Sequence, residues 1–359
     1  MSRTFGNPLQ VRLLTALEGQ ITIALSSNFL YDKTAMGRKG RYETAMSEKK
    51  CTYIKIMAGA GLLLTTIIWG SAFVVMKNSV DAIPPTYLLA LRFTLAAAAL
   101  ILAFFKRVRA ITRKDLQYGS ILGALLFTSY LFQTYGLKYT TASKNAFITT
   151  LYVILVPFLH WMINRIRPKK KNVAAAVIAV VGLALLSLDG QMTVNIGDVL
   201  TLICGLCFAL HIVYIDRYTV DHDPVILTVV QIAVAALLNW CLAPVLDGGF
   251  DFSVIDSGLL MSLLYLGIFS TMIGFLLQNV GQKYLTPNTS SILLSFESVF
   301  GLVFSVIFLG DPVTLRLLTG CALMFGAIIL SEYKRKEKAG GAADSRKAKV
   351  KMAPEAGEA

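Results

Sequence analysis

The chain has 359 residues, 55% of them hydrophobic and only 15% charged, with a mean hydropathy of +0.64. That composition excludes a disordered chain and an ordinary soluble domain, and points to a polytopic membrane protein. The formal net charge of +13 calls for no nucleic-acid partner, because the basic residues fall between apolar runs and in two polar tails, where they face anionic headgroups.

Residues 1–56 read as a cytoplasmic N-terminal extension. Residues 1–45 carry no signal-peptide pattern, since Val11 to Phe29 is interrupted by Arg12, Glu18, Gly19 and Gln20. Met46-Ser-Glu-Lys-Lys offers an alternative natural start with a short basic lead. Apolar runs then follow at 57–76, 86–105, 117–135, 145–164, 172–188, 196–215, 225–243, 258–277, 288–309 and 313–331. Each is long enough to cross ~30 Å of hydrocarbon as a helix. Residues 333–359 form a basic tail, rich toward its end in Ala, Gly, Lys and Glu, of disordered composition.

The charges orient these spans. Lys49, Lys50 and Lys55 precede the first. Lys106, Arg107, Arg109, Arg113 and Lys114 follow the second, Lys169, Lys170 and Lys171 the fourth, and Lys334, Arg335 and Lys336 the tenth. The intervening loops are poor in Lys and Arg. By the positive-inside rule both termini are cytoplasmic, and the expected location is the cell membrane.

The second half repeats the first. Gln133-Thr-Tyr-Gly136-Leu-Lys138-Tyr139-Thr-Thr141 aligns with Gln278-Asn-Val-Gly281-Gln-Lys283-Tyr284-Leu-Thr286, and Val80-Asp81-x-x-Pro84 with Val220-Asp221-x-x-Pro224. Repeats are expected over 57–188 and 196–332. Five spans per half make the second half enter the membrane from the opposite side. The fold class is therefore an all-α integral membrane protein of ten helices in two inverted five-helix repeats, with the substrate site between the halves.

Further residues carry a family resemblance. Trp69-Gly70-Ser71-x-Phe73, Leu91-Arg92-Phe93 after Pro84, and Ser295-Phe-Glu297-Ser-Val-Phe-Gly301 ending in Leu309-Gly310-Asp311 resemble the EamA-type permeases of the drug/metabolite transporter superfamily. That family usually has Glu where Asp311 stands and often Pro where Ser298 stands. The resemblance implies export or exchange of small metabolites, amino acids or amphiphilic drugs among them.

Candidate substrate-binding residues follow from polar groups deep in apolar runs, which are costly unless they face protein or water. Glu297 lies about nine residues into its span, ~14 Å deep at 1.5 Å per residue. It is either a substrate-ammonium or coupling-proton carboxyl, or a brace between helices. Arg92 contacts a substrate carboxylate, or pairs internally, or extends outward along its stem. His211 closes a stripe of Cys204, Cys207, His211 and Tyr214 on one helical face; it relays protons, binds substrate, or is a satisfied core histidine. Asn145, Thr149 and Tyr152 share another face, and Tyr152 is the repeat counterpart of Glu297. Gln133 and Gln278 correspond likewise, as ligands or as interhelical bonds. Trp69, Tyr130 and Phe73 supply an aromatic wall, or, for Trp69, helix packing or part of the outer interfacial belt.

Other signals read as structural. Gly119-x-x-x-Gly123 marks close helix packing. Asp223-Pro224 and Asp311-Pro312 read as N-cap and first-turn proline. Asp221-His222-Asp223 reads as a solvated loop. No metal or cofactor site is expected, and no Walker loop or nucleophile elbow is found. The reading is a secondary transporter, coupled to a proton or working by exchange, and not an enzyme. An uncoupled facilitator of the same fold and an intramembrane lipid-modifying transferase are the alternatives.

Overall fold

A computed structural model describes residues 48–165, 170–187 and 195–332. Most of the N-terminal extension and the C-terminal tail lie outside the described residues. Over its described residues each apolar run is mostly helical, and no strand occurs among the described residues. We number the helices α1 (Glu48–Val80), α2 (Pro85–Ala103), α3 (Arg113–Tyr139), α4 (Ala142–Thr149 continued by Tyr152–Asn164), α5 (Lys170–Ser187), α6 (Ile196–Tyr218), α7 (Pro224–Leu246), α8 (Ser257–Leu264 through Gly274–Tyr284), α9 (Pro287–Leu309) and α10 (Leu315–Glu332).

Seven of them, α1, α2, α4 and α6 to α9, are long and apolar enough to cross a bilayer. At 27 residues α3 has the length, but Gln117, Gln133, Thr134 and Lys138 dilute its hydropathy. The apolar stretches of α5 and α10 are shorter, Val173–Gly182 and Leu315–Ala327. Helix α1 is described from Glu48, so Lys49, Lys50 and Lys55 lie on the same helix as the apolar run at 57–76, ahead of it.

Two helices depart from regularity. α4 breaks at Thr150–Leu151, ahead of Pro157. Proline has no N–H for the carbonyl four residues back and crowds it. The break itself is bridged by tighter bonds, Val153 N–H to Thr150 O at 3.1 Å and Ile154 N–H to Leu151 O at 3.0 Å. In α8, Tyr265–Ile273 widens into π-helix, a local form often found at functional sites.

Helix α1 packs along α9 and α8, α2 along α7 and α8, α3 along α6 and α7, α4 against α6 and α9, and α5 along α10. This pattern is unchanged when α1–α5 are exchanged with α6–α10. The pair α1–α9 maps onto α6–α4, α1–α8 onto α6–α3, and α2–α8 onto α7–α3. Gly119 and Gly123 let α3 lie directly on α7: a Cβ at either would sit 2.5–2.7 Å from Val230 or Val234. That is the close packing expected of them.

Inter-loop contacts define two faces. On the basic face, Arg107 pairs with Asp223 at 2.8 Å and His222 with Asp115 at 2.5 Å. His222 and Asp223 are thus braced between helices, not held in the solvated loop expected of them. Asp223 also caps α7 through Val225 N–H at 2.8 Å, as its sequence context predicts. On the opposite face, Asp247 accepts from Thr86 N–H at 2.7 Å and Tyr135 O–H at 2.6 Å. Asp311 does not act as an N-cap: α10 starts only at Leu315. Its carboxylate accepts instead from Ser143 O–H at 2.6 Å, linking the end of α9 to the start of α4.

Candidate functional site

Seven helices, α1 to α4, α6, α8 and α9, line a central cavity. Seven of the nine expected residues line it: Trp69, Arg92, Tyr130, Gln133, Tyr152, Gln278 and Glu297. Thr149 and His211 do not.

Arg92 is buried in the middle of α2. Its Nε donates to Thr271 Oγ1 at 2.9 Å, one Nη to Ser270 Oγ at 3.1 Å and the other to Met76 Sδ at 3.4 Å. The guanidinium lies 4.8 Å from the centroid of Tyr130 and 5.7 Å from that of Phe93. All these partners are neutral, and no ion pair among the described residues includes Arg92. The side chain does not run outward to an interface. A buried cation held only by neutral dipoles and ring faces keeps its charge uncompensated.

The wide turn of α8 provides those dipoles. Gly274 N–H reaches back five residues to Phe269 O. The carbonyl of Ser270 accepts from Trp69 Nε1 at 2.9 Å, while the hydroxyls of Ser270 and Thr271 both meet Arg92. Gly274 lies under the indole, where a Cβ would be 2.4 Å from Nε1. Trp69 is therefore fixed against the bundle interior, not in an interfacial belt, and meets Phe275 at a tilt of 48° with ring centroids 5.0 Å apart. Tyr130 continues the aromatic wall, with Phe93, Phe208 and Phe275 edges 5.2–5.9 Å away.

Glu297 is 4% exposed. The hydroxyls of Ser295 and Ser298 bond their own helix backbone, so neither braces the carboxyl. The Tyr152 hydroxyl, from the equivalent position of the other half, lies beside it and has no hydrogen bond of normal geometry. Gln278 leaves Oε1 buried without a partner, whereas Gln133 Nε2 donates to Thr149 Oγ1 at 3.3 Å. Thr149 thus supports Gln133 from behind. His211 Nε2–H donates to Gln231 Oε1 at 2.7 Å behind the rings of Phe208 and Phe275, and its Nδ1 is buried without a hydrogen-bond partner among the described residues. Among the described residues no group of three His, Cys, Asp or Glu side chains can hold a metal.

Ser270, Thr271, Met76 and Phe208 escaped the sequence reading. Hydroxyls within an apolar run signal nothing until the helical register is known, and the π-helix alters that register.

The cavity thus offers a cation, a carboxyl and an aromatic wall between them. The family model of EamA-like transporters matches residues 57–188 and again 195–333. The chain belongs to the EamA-like transporter family. An uncharacterized transporter of Archaeoglobus fulgidus is 33% identical over 276 residues, 77% of this chain and 86% of its own. A probable amino-acid metabolite efflux pump of Salmonella typhimurium is 27% identical, covering 76% and 93%. One solved crystal structure aligns with a TM-score of 0.59 at 19% identity over 79% of this chain and 96% of that one, a likeness of fold. As an EamA-like transporter the chain is a multi-pass membrane protein acting on small molecules, and its relatives are named as transporters rather than enzymes.

Proposed function

We propose that the protein is a secondary transporter that exports or exchanges a zwitterionic metabolite of the amino-acid class across the cell membrane by alternating access. The observation that carries this reading is that Arg92 and Glu297 line one cavity yet are not paired with each other. An amino-acid carboxylate satisfies the guanidinium, and its ammonium satisfies the carboxyl. The side chain then lies against Trp69 and Tyr130. Without substrate, Glu297 is the group suited to carry a coupling proton.

The scaffold for this is two inverted five-helix halves, 57–188 and 196–332, giving ten crossings with both termini cytoplasmic. The exchange-invariant helix pairing and the basic loops support it. The amino-acid efflux relative supports the substrate class.

Flux of labelled amino acids into liposomes containing the purified protein, with and without a pH gradient, is the test. Protein-dependent flux that responds to the gradient and is lost in Arg92→Gln is expected. Flux indifferent to the gradient and to counter-substrate means an uncoupled facilitator. Absence of flux for every amino acid tried removes the substrate class.

A further inference from the structure

Lys77 stands at the end of α1, one residue beyond Met76, which lines the cavity. Its ammonium donates to the carbonyls of Leu137 at 2.9 Å and Thr140 at 3.0 Å. These are carbonyls at the C-terminus of α3, which lack helical partners and form the negative end of the helix dipole. Leu137 itself lines the cavity. Thr140 is anchored in turn, its hydroxyl donating to Asp198 at 2.8 Å at the start of α6. One cation thus ties α1 to α3 across the end of the cavity away from the basic face.

The sequence repeat supplies a counterpart. The alignment of Val80-Asp81 with Val220-Asp221 puts Lys77 on Arg217, near the end of α6. The alignment of Gln133–Thr141 with Gln278–Thr286 puts Leu137 on Gln282 and Thr140 on Leu285, at the end of α8. Both halves therefore carry a cation at the end of their first helix and a helix terminus to receive it. Their states differ. Lys77 is engaged, whereas Arg217 is exposed and belongs to no ion pair among the described residues. At that end of the cavity, α8 reaches α6 through a long contact, Gln282 Nε2 to Ile212 O at 3.4 Å.

We infer that Lys77 and Arg217 are alternating gate latches. Lys77 holds the outer end of the cavity shut while the cytoplasmic end is released. In the opposite state Lys77 lets go, and Arg217 bonds the carbonyls of Gln282 and Leu285. The inference rests on the alternating-access reading and adds to it the residues that choose between the two states. Because the receivers are backbone carbonyls, the latch asks only for a long cationic side chain, and Lys and Arg serve equally.

The experiment uses the full chain with its native cysteines replaced and a reporter thiol in the cavity wall, Ala72→Cys. An impermeant thiol reagent is applied to whole cells and to inverted vesicles. Lys77→Met should raise the outside labelling rate about tenfold relative to the inside rate, the shift produced by losing a hydrogen bond to a charged group. Arg217→Met should move the ratio the other way. Lys77→Arg should match the unmodified latch, which a general loss of folding would not do. If the reporter is labelled from both sides but its ratio is the same in Lys77→Met, Arg217→Met and their parent, the latches are refuted and two-sided access stands. If it is labelled from neither side in any variant, the alternating-access reading falls and the latches fall with it.

Discussion

The indole of Trp69 donates to the carbonyl of Ser270, the same residue whose hydroxyl accepts from Arg92. One residue of α8 therefore orients both the aromatic wall and the buried cation of the cavity. It does so where the π-helical register turns the Gly274 N–H to the carbonyl of Phe269.

This arrangement makes Gly274 sensitive to a single methyl. A Cβ there meets Trp69 Nε1 at 2.4 Å. Either the indole or the wide turn must move, at a cost of about 1–3 kcal/mol. Gly274→Ala should lower the unfolding midpoint in detergent and reduce flux. Gly326→Ala, where nothing lies within 4 Å of the added atom, should be neutral to about 0.5 kcal/mol. Equal stability of the two variants would remove the steric account.

Glu297→Gln separates titration from shape. The amide keeps the size and most of the hydrogen-bonding capacity of the carboxyl but holds no proton. Flux should be abolished, or made independent of pH, at normal membrane abundance, and Glu297→Asp should keep part of it. An unchanged pH profile in proteoliposomes would reduce Glu297 to a structural role.

Asp115 gives a stability effect with a defined pH window. Burial alone would raise its pKa. Hydrogen bonds from the Thr112 hydroxyl and backbone, then from His222, outweigh burial and hold the carboxyl below its usual range. A carboxyl depressed in the folded state stabilises above its unfolded value and loses that contribution as pH falls through the folded one. The midpoint difference between wild type and Asp115→Asn should therefore be fully present above about pH 5 and shrink below about pH 4. A difference that persists undiminished in acid would contradict this.

Orientation is checked with single cysteines. At Asp251, in the loop between α7 and α8, a thiol should react with an impermeant reagent outside whole cells. At Arg109 or Lys170, on the basic loops, it should not. The reverse result would invert the topology.

Much of the fold was legible because bilayer-length apolar runs and Lys/Arg placement are one-dimensional signals. The approach of Glu297 and Tyr152 to one cavity was legible too, from the repeat offset. What escaped depends on register and long-range partners. The two hydroxyls on Arg92 need the π-helix, which no residue in Tyr265–Ile273 announces. His211 looks like a cavity residue until the fold places it behind Phe208 and Phe275, with Nε2 on Gln231 of another helix. Asp311 and His222 resembled local caps and loop residues, but their partners, Ser143 and Asp115, are more than 100 positions away.

The interlocked pairing of helices also sets a timetable for biogenesis. The principal neighbour of α1 is α9, which begins some 200 residues after α1 ends. At ~5–20 residues per second of synthesis, α1 waits about 10–40 s before that neighbour exists. Gly70, which lies directly on Phe300 of α9, lacks its mature surroundings throughout that interval, so the nascent first half depends on lipid or an insertion factor to cover that face. A ribosome stalled before α9 should leave a chain that is inserted but readily cleared by quality-control proteolysis.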